Sequence, residues 1–259
     1  MILYFSGTGN SQFAAEQVAQ QLGERAFSIE GNDLPTTLSE GESLGLVFPV
    51  YAWGLPYIVE TFILQRLCAF RGKTHYLWAL ITCGDDIGYA DRFLQKTLLQ
   101  GLGVKADAIF SVQMTETYIC LPGFDVDSPE MSRTKVGKAL LTLQSFIPEI
   151  KAKRNILRVY RGPIPHIYTY ILRPIFRRWL MTDRYFHVDA SACSHCGRCA
   201  KQCPAQDIKM TDGIPTWQSD ACITCLRCFH HCPTRAIDWG RFTKGKNQKP
   251  AITNSTFTN

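Results

Sequence analysis

The chain has 259 residues, 46% hydrophobic and 19% charged, with a net charge of +6. That is long enough for one mid-sized domain plus a smaller one and apolar enough for a real core, which excludes a disordered chain and a coiled coil. Of the 11 cysteines, 8 crowd between Cys193 and Cys232, so they belong to a site rather than to a disulfide scaffold, and a reducing, cytoplasmic setting is expected.

Residues 1–5 form a short apolar run that ends in Ser6-Gly7-Thr8-Gly9-Asn10-Ser11, after which Phe13, Ala14, Val18 and Leu22 recur at helical spacing. This reads as strand, loop, helix, with no basic leader to be cleaved. Residues 26–29 predict a second strand, 44–51 a third buried on both faces, and 57–67 a helix. The charge-free stretch 44–59 is broken by Pro49, Gly54 and Pro56, which argues against a membrane span. Residues 76–82 predict a fourth strand, 89–99 a helix closed by Gly101, and 108–114 a fifth strand. Five buried strands alternating with helices imply an α/β fold, a parallel sheet covered on both sides with right-handed crossovers. Val136, Leu140, Leu143 and Ile147 mark a last helix over 132–150, so a first domain is expected at 1–150.

Residues 151–182 read as a bridge. Lys151, Lys153, Arg154, Arg158, Arg161, Arg173, Arg177 and Arg178 fall in its first 29 positions with no acidic residue among them. From 183 to 245 the chain repeats with a period of 29: Cys193, Cys196, Cys199, Cys203 and Pro204 correspond to Cys222, Cys225, Cys228, Cys232 and Pro233. Each copy predicts a short strand, a cysteine loop and a short helix after the Cys-Pro, followed by a tail at 246–259. A duplicated unit this small has little core of its own.

Both copies spell C-x2-C-x2-C-x3-C-P, the run that binds [4Fe-4S] clusters in pairs. The first three cysteines wrap one cubane and the fourth reaches the other. One cluster is therefore expected on Cys193, Cys196, Cys199 and Cys232, and a second on Cys222, Cys225, Cys228 and Cys203. A structural zinc site pairs two close cysteines with two distant ligands and does not call for this third cysteine. His195, His230 and His231 are expected to be exposed loop residues, and Cys68 and Cys120 ordinary buried cysteines.

The loop from Ser6 to Ser11, at a helix start with three hydroxyls and an amide, suits a terminal phosphate. A dinucleotide reading, with Glu30 as its acidic partner, lacks the third glycine because Gln12 stands there. Gly101-x-Gly103 follows a helix rather than a strand, the reverse of what that mechanism needs. Ser6 to Ser11 resembles the phosphate loop of flavodoxins, Thr82-Cys83-Gly84-Asp85-Asp86 resembles their second flavin-edge loop, and Pro49-Val50-Tyr51-Ala52-Trp53-Gly54 sits where they place an aromatic against the flavin ring. With the cysteine repeat, nearly the whole chain is similar to flavodoxin–ferredoxin fusion proteins of the EFR type. That resemblance implies a five-stranded sheet in the order 2-1-3-4-5, FMN bound by these three loops and by Tyr89, and a smaller α+β two-cluster ferredoxin domain. Tyr89 comes one residue later than the family's pattern. Tyr51 and Trp53 also read as core aromatics at a strand end, and Asp85 as a helix N-cap.

Each cubane passes one electron and a flavin holds one or two, so the implied function is electron transfer between one-electron and two-electron partners. The partner is expected to be a redox protein. The alternatives are an FMN-dependent reductase of a small molecule such as a quinone, nitro or unsaturated compound, and a structural module stabilised by its clusters. For the basic bridge, neutralisation of clusters and phosphate leads, ahead of docking an acidic partner and of peripheral membrane contact. Nucleic acid is not expected, since no binding module accompanies the charge.

Overall fold

In the computed structural model, which describes residues 1–31, 34–35, 37–38, 41–218 and 221–249, the apolar runs near the start of the chain become Ile2–Tyr4 (β1), Ala26–Ser28 (β2), Leu44–Pro49 (β3), Leu77–Cys83 (β4) and Ala108–Gln113 (β5). They pair in parallel in the order 2-1-3-4-5, and Ile156–Arg158 (β6) adds a sixth parallel strand beside β5. That extra strand lies in the stretch read as bridge. An edge strand needs little apolar signal, and here Arg154 and Arg158 flank only two apolar residues. The order is that of a doubly wound sheet, with its switch point between β1 and β3.

Side chains alternate across the strands, so two cores form. On one face Phe13 and Val18 of Asn10–Leu22 (α1) and Val136, Leu143 and Phe146 of Pro129–Lys151 (α4) pack on Ile2, Val47, Leu80 and Phe110. On the other, Val59 and Ile63 of Tyr57–Gln65 (α2) and Leu94 and Leu98 of Ala90–Leu102 (α3) pack on Leu3, Leu46 and Ile81. Gly101 does not close α3. It lies inside the helix because a Cβ there would meet the Ile63 carbonyl oxygen at 2.5 Å, and Gly103 at φ 77° is the cap. Ser128 caps α4, its hydroxyl accepting from the Met131 N–H at 3.2 Å.

After β6 the chain forms one helix, α5, made of wide π turns over Ile167–Leu172 and Phe176–Leu180 around a single α turn at Arg173–Ile175. The repeat then gives Phe186–Val188 (β7), Arg198–Lys201 (α6), Ile208–Thr211 (β8), Ile214–Trp217 (β9), Arg227–His230 (α7) and Ile237–Trp239 (β10). β7 pairs antiparallel with β10, and β8 with β9. The short helices carry the third cysteine of each copy and end before the Cys-Pro rather than following it, because the residue ahead of a proline is pushed out of helical geometry. What supplies this small unit with a core is the first domain. Ile119 and Cys120 bury against Phe186, Leu226, Phe229, Ile237 and Trp239, while Ile223 joins the α2–α3 core.

Candidate functional site

The duplication is conformational as well as sequential. His195, Gly197 and Gln206 have φ of 54°, 67° and 53°, and their counterparts 29 residues on, Thr224, Leu226 and Arg235, have 50°, 58° and 55°. These left-handed residues turn each loop so that amides face the sulfurs. The Thr224 N–H reaches Cys222 Sγ and the Ala236 N–H reaches Cys232 Sγ, both at 3.3 Å. Cys193, Cys196 and Cys199 line one small cavity together with Cys232, the fourth cysteine of the other copy. Cys222, Cys225 and Cys228 lie within electrostatic reach of Cys203.

The two sets differ in environment. Burial first, then the neighbouring thiols, pushes Cys228 well up and Cys225 up to about 11, so bare thiolates there need cations to stand beside them. Cys196 is exposed, and the Arg198 N–H, then the Ser194 hydroxyl, holds it below the usual thiol range. Residues 186–233 match the family of 4Fe-4S dicluster domains. This part of the chain is a ferredoxin-like iron–sulfur domain. Among curated proteins, none matches the chain.

The inner loop of the ferredoxin-like domain forms one wall of a cavity of about 550 Å³ at the carboxyl ends of β1, β3 and β4, within the range of roughly 300–1,000 Å³ typical of small-molecule sites. Its lining brings together Ser6, Gly7, Thr8, Asn10 and Ser11, then Pro49, Val50, Tyr51, Ala52 and Trp53, then Thr82, Cys83, Gly84 and Asp85, with Ile223, Thr224, Cys225 and Leu226 opposite. Gly7 marks the closest approach. A Cβ on it would strike the Tyr51 hydroxyl and lie 3.1 Å from the Cys225 carbonyl oxygen.

Three residues expected here are not in the lining. Gly9 is the N-cap of α1 at φ 97°, and Gly54 forms a bridge with Tyr51 while leaving room for the Arg173 guanidinium. Tyr89 is the N-cap residue of α3; its N–H donates to Thr169 Oγ1 at 3.0 Å, and its ring packs on His166 at 4.9 Å and under Arg92 at 3.9 Å. Asp85 therefore caps no helix. Beside Tyr51 and Trp53, the cavity takes Tyr118, Phe124, Tyr168 and Phe176 in place of Tyr89, with Trp53 stacked on Tyr168 at 5.1 Å.

The cavity's polar groups fit a phosphorylated, planar ligand. No side chain caps α1, which leaves its first-turn N–H groups open to an anion. Ser6 Oγ accepts from the Gly9 N–H at 3.0 Å, and Asn10 Nδ2 donates to the Thr115 carbonyl at 2.8 Å. Among the described residues, Asn10 Oδ1, the Tyr118 hydroxyl and Thr224 Oγ1 are buried with no hydrogen-bond partner, and all three residues line the cavity. Asp85, Asp86 and Glu116 also line it; burial first pushes the Glu116 carboxyl up, against the N–H groups of Tyr118 and Thr117 that donate to it at 2.7 Å.

Two cations invisible in the local motif hold the phosphate-type loop from behind. Arg227 donates to the carbonyls of Ser6 at 2.7 Å and Gly7 at 3.1 Å and pairs with both oxygens of Glu30, the residue weighed as a dinucleotide ligand. Lys249 Nζ donates to the Thr8 carbonyl at 2.9 Å. The start of the tail is thus part of the assembly: Lys246 donates to the carbonyls of Ile119 and Leu121, and Gln248 to those of Phe229 and Cys232. Residues 250–259 lie outside the described residues.

His230 is buried rather than exposed. Its Nε2 donates to the Thr117 carbonyl at 2.9 Å while Nδ1 accepts from the Lys249 N–H at 3.1 Å, an arrangement that needs the neutral ring. His195 is exposed as expected, Cys120 is buried, and Cys68 is exposed, its thiol turned back to the Gln65 carbonyl. Two of the bridge cations pair within the first domain, Arg154 with Glu149 and Arg161 with Asp91, and the cations that touch the phosphate-type loop are Arg227 and Lys249.

Proposed function

We propose that the chain is an electron-transfer protein that joins two [4Fe-4S] clusters to FMN, a flavodoxin-like part fused to a ferredoxin-like one as in EFR-type proteins. The observation that carries this reading is the shared cavity. The Ser6–Ser11 loop and the Cys225 loop are walls of one space, in van der Waals reach of each other across Gly7. When bound there, FMN supplies one- and two-electron chemistry, while each cubane passes electrons singly.

The chain's own residues divide the work. Ser6, Thr8, Asn10, Ser11 and the start of α1 hold the phosphate, with Lys249 behind the loop as counter-charge. Tyr51, Trp53 and the loop from Thr82 to Asp85 flank the ring system, and Tyr168 and Phe176 roof it against water. Cys193, Cys196, Cys199 and Cys232 hold an outer cluster, and Cys222, Cys225, Cys228 and Cys203 an inner one. The outer set includes exposed Cys196 and the inner set touches the cavity, so charge enters or leaves through the outer set.

The external partner in this reading is a redox protein with an acidic face. Arg198 is the counterpart of Arg227 in the repeat and is exposed beside Cys196, with no carboxylate of its own chain paired to it among the described residues. A second reading, direct reduction of a small molecule, draws on the apolar end of the cavity at Leu121, Phe124 and Leu180. Anaerobic material with about eight iron, eight sulfide and one FMN per chain, in which photoreduced clusters pass charge to the flavin, is the expected result. Zinc in place of iron, no yellow chromophore, or a flavin that stays oxidised beside reduced clusters would refute the reading. Steady turnover of a quinone and nitro-compound panel would favour the second.

A further inference from the structure

We propose that α5 docks the protein on an anionic membrane surface, lying in the interface rather than crossing it. Ile167, Ile171, Ile175 and Trp179 of α5 recur at four-residue steps, suited to its wide turns, and are each 40–59% exposed, with Tyr170 beside them at 53% and Ile164 just ahead of the helix at 45%. They form one outward stripe along the helix. The opposite side is already used. Thr169 and Arg173 are buried, and Tyr168 and Phe176 pack on Trp53 over the redox cavity. The helix is therefore apolar on two sides, and only one is covered.

The charge decides what covers the other. Arg177 and Arg178 are exposed at the end of the stripe and make no ion pair among the described residues, and positions 151–179 hold no acidic residue. The same face of a second copy brings no acidic side chain to meet these arginines. Residues 250–259 bring no acidic side chain either. An anionic lipid surface answers both the isoleucines and the arginines, and tryptophan and tyrosine are the residues that settle at such an interface. No helix among the described residues is long and apolar enough to cross a membrane. Docking this way brings the cavity roofed by Tyr168 and Phe176 within about one helix diameter, ~10 Å, of the lipid.

The test is co-sedimentation of the full-length, cofactor-loaded protein with phosphatidylcholine vesicles that contain or lack phosphatidylglycerol. Binding is expected only with the anionic lipid, and it should weaken as salt is raised. Arg177→Gln with Arg178→Gln should weaken it about fivefold per charge, and Ile167→Ser, Ile171→Ser and Ile175→Ser together by about tenfold or more. All five side chains are exposed, so cluster spectra should be unchanged in both variants. No binding to anionic vesicles at about 0.1 M salt, or equal binding by the triple isoleucine variant, overturns the proposal. So does a dimer in sedimentation velocity that the triple variant dissolves, since it would assign the stripe to a second copy.

Discussion

Replacing Arg227 by glutamine removes the side chain that ties the inner cysteine loop to the phosphate-type loop. Burial works against its charge, and the hydrogen bonds and charge of Glu30 outweigh that, raising the guanidinium above its usual range. The pair is largely out of water, with side chains 14% and 24% exposed. It is worth more than the surface value of under about 1 kcal/mol and less than the roughly 3–5 kcal/mol lost on breaking a fully buried pair; about 1.5 kcal/mol is a fair middle. The bonds to the Ser6 and Gly7 carbonyls, at 2.7 and 3.1 Å, add about 1 kcal/mol net each. A total of about 3.5 kcal/mol shifts local opening of the interface by roughly three-hundredfold. Amide hydrogen exchange over residues 5–9 and 222–227, which cover each other, should accelerate by that factor in Arg227→Gln and by about tenfold in Glu30→Gln. In the double variant the two effects should not add. Exchange within threefold of the parent, or strict additivity, would refute the reasoning.

Three further outcomes follow from the same contacts. Gly7→Ala drives a Cβ into the Tyr51 hydroxyl with the Cys225 carbonyl just behind it; overpacking of about 1–3 kcal/mol should lower flavin retention, and adding Tyr51→Phe should restore part of it. Cys232→Ser should cost the cluster held by the first copy's cysteines and leave that of Cys222, Cys225 and Cys228, so iron falls from about eight to about four and resonance spectra keep the buried centre; loss of the buried centre instead would reverse the pairing. Burial holds Lys249 down to about 7. Between there and the ordinary lysine range the unfolded chain binds the extra proton, so folding gains stability as pH rises through that window and bears the full burial penalty below it. The thermal midpoint of flavin-free protein should rise from pH 7 to pH 9, and Lys249→Met should remove that part of the rise; an identical rise in both would exclude the assignment.

What the sequence discloses is whatever is written in consecutive residues. Ile2–Tyr4 followed by Ser6–Ser11 and α1 is a local motif, and so is each C-x2-C-x2-C-x3-C-P, so the alternating parallel sheet is legible from the residues, its strand order from the resemblance, and most of the residues expected at the phosphate-type loop do line one cavity. β6 is not legible, because two apolar residues between arginines look like linker until β5 offers an edge. Gly101 misled because a glycine near a helix end serves either as a cap or as a close-packing site, and only the position of Ile63 decides between them. The resemblance puts Tyr89 at the cavity, but with one extra residue ahead of it the ring stands at the start of α3 instead. The contacts between Glu30 and Arg227, Thr8 and Lys249, and Thr117 and His230 join residues more than 100 positions apart, and no periodicity in one chain carries such a pairing.

On the proposed reading, the duplication lets one arginine position do two jobs. At the inner copy Arg227 is spent on Ser6, Gly7 and Glu30, and it also lies within electrostatic reach of Cys225, where burial makes added negative charge unfavourable. At the outer copy the backbone at the equivalent positions turns the same way, with φ 67° at Gly197 against 58° at Leu226, so Arg198 leaves its loop in the same place relative to Cys196. Arg198 is exposed, and no carboxylate among the described residues pairs with it. If the inner copy docks by presenting its arginine to a carboxylate and two carbonyls, the outer copy offers that mode of docking to a separate molecule. Arg198→Glu should then slow reduction of the outer cluster by an acidic ferredoxin about tenfold at low salt, an effect that high salt erases, while photoreduction by a small neutral dye is unchanged. An equal slowing with the dye would mean that Arg198 supports the cluster itself and that partners arrive elsewhere.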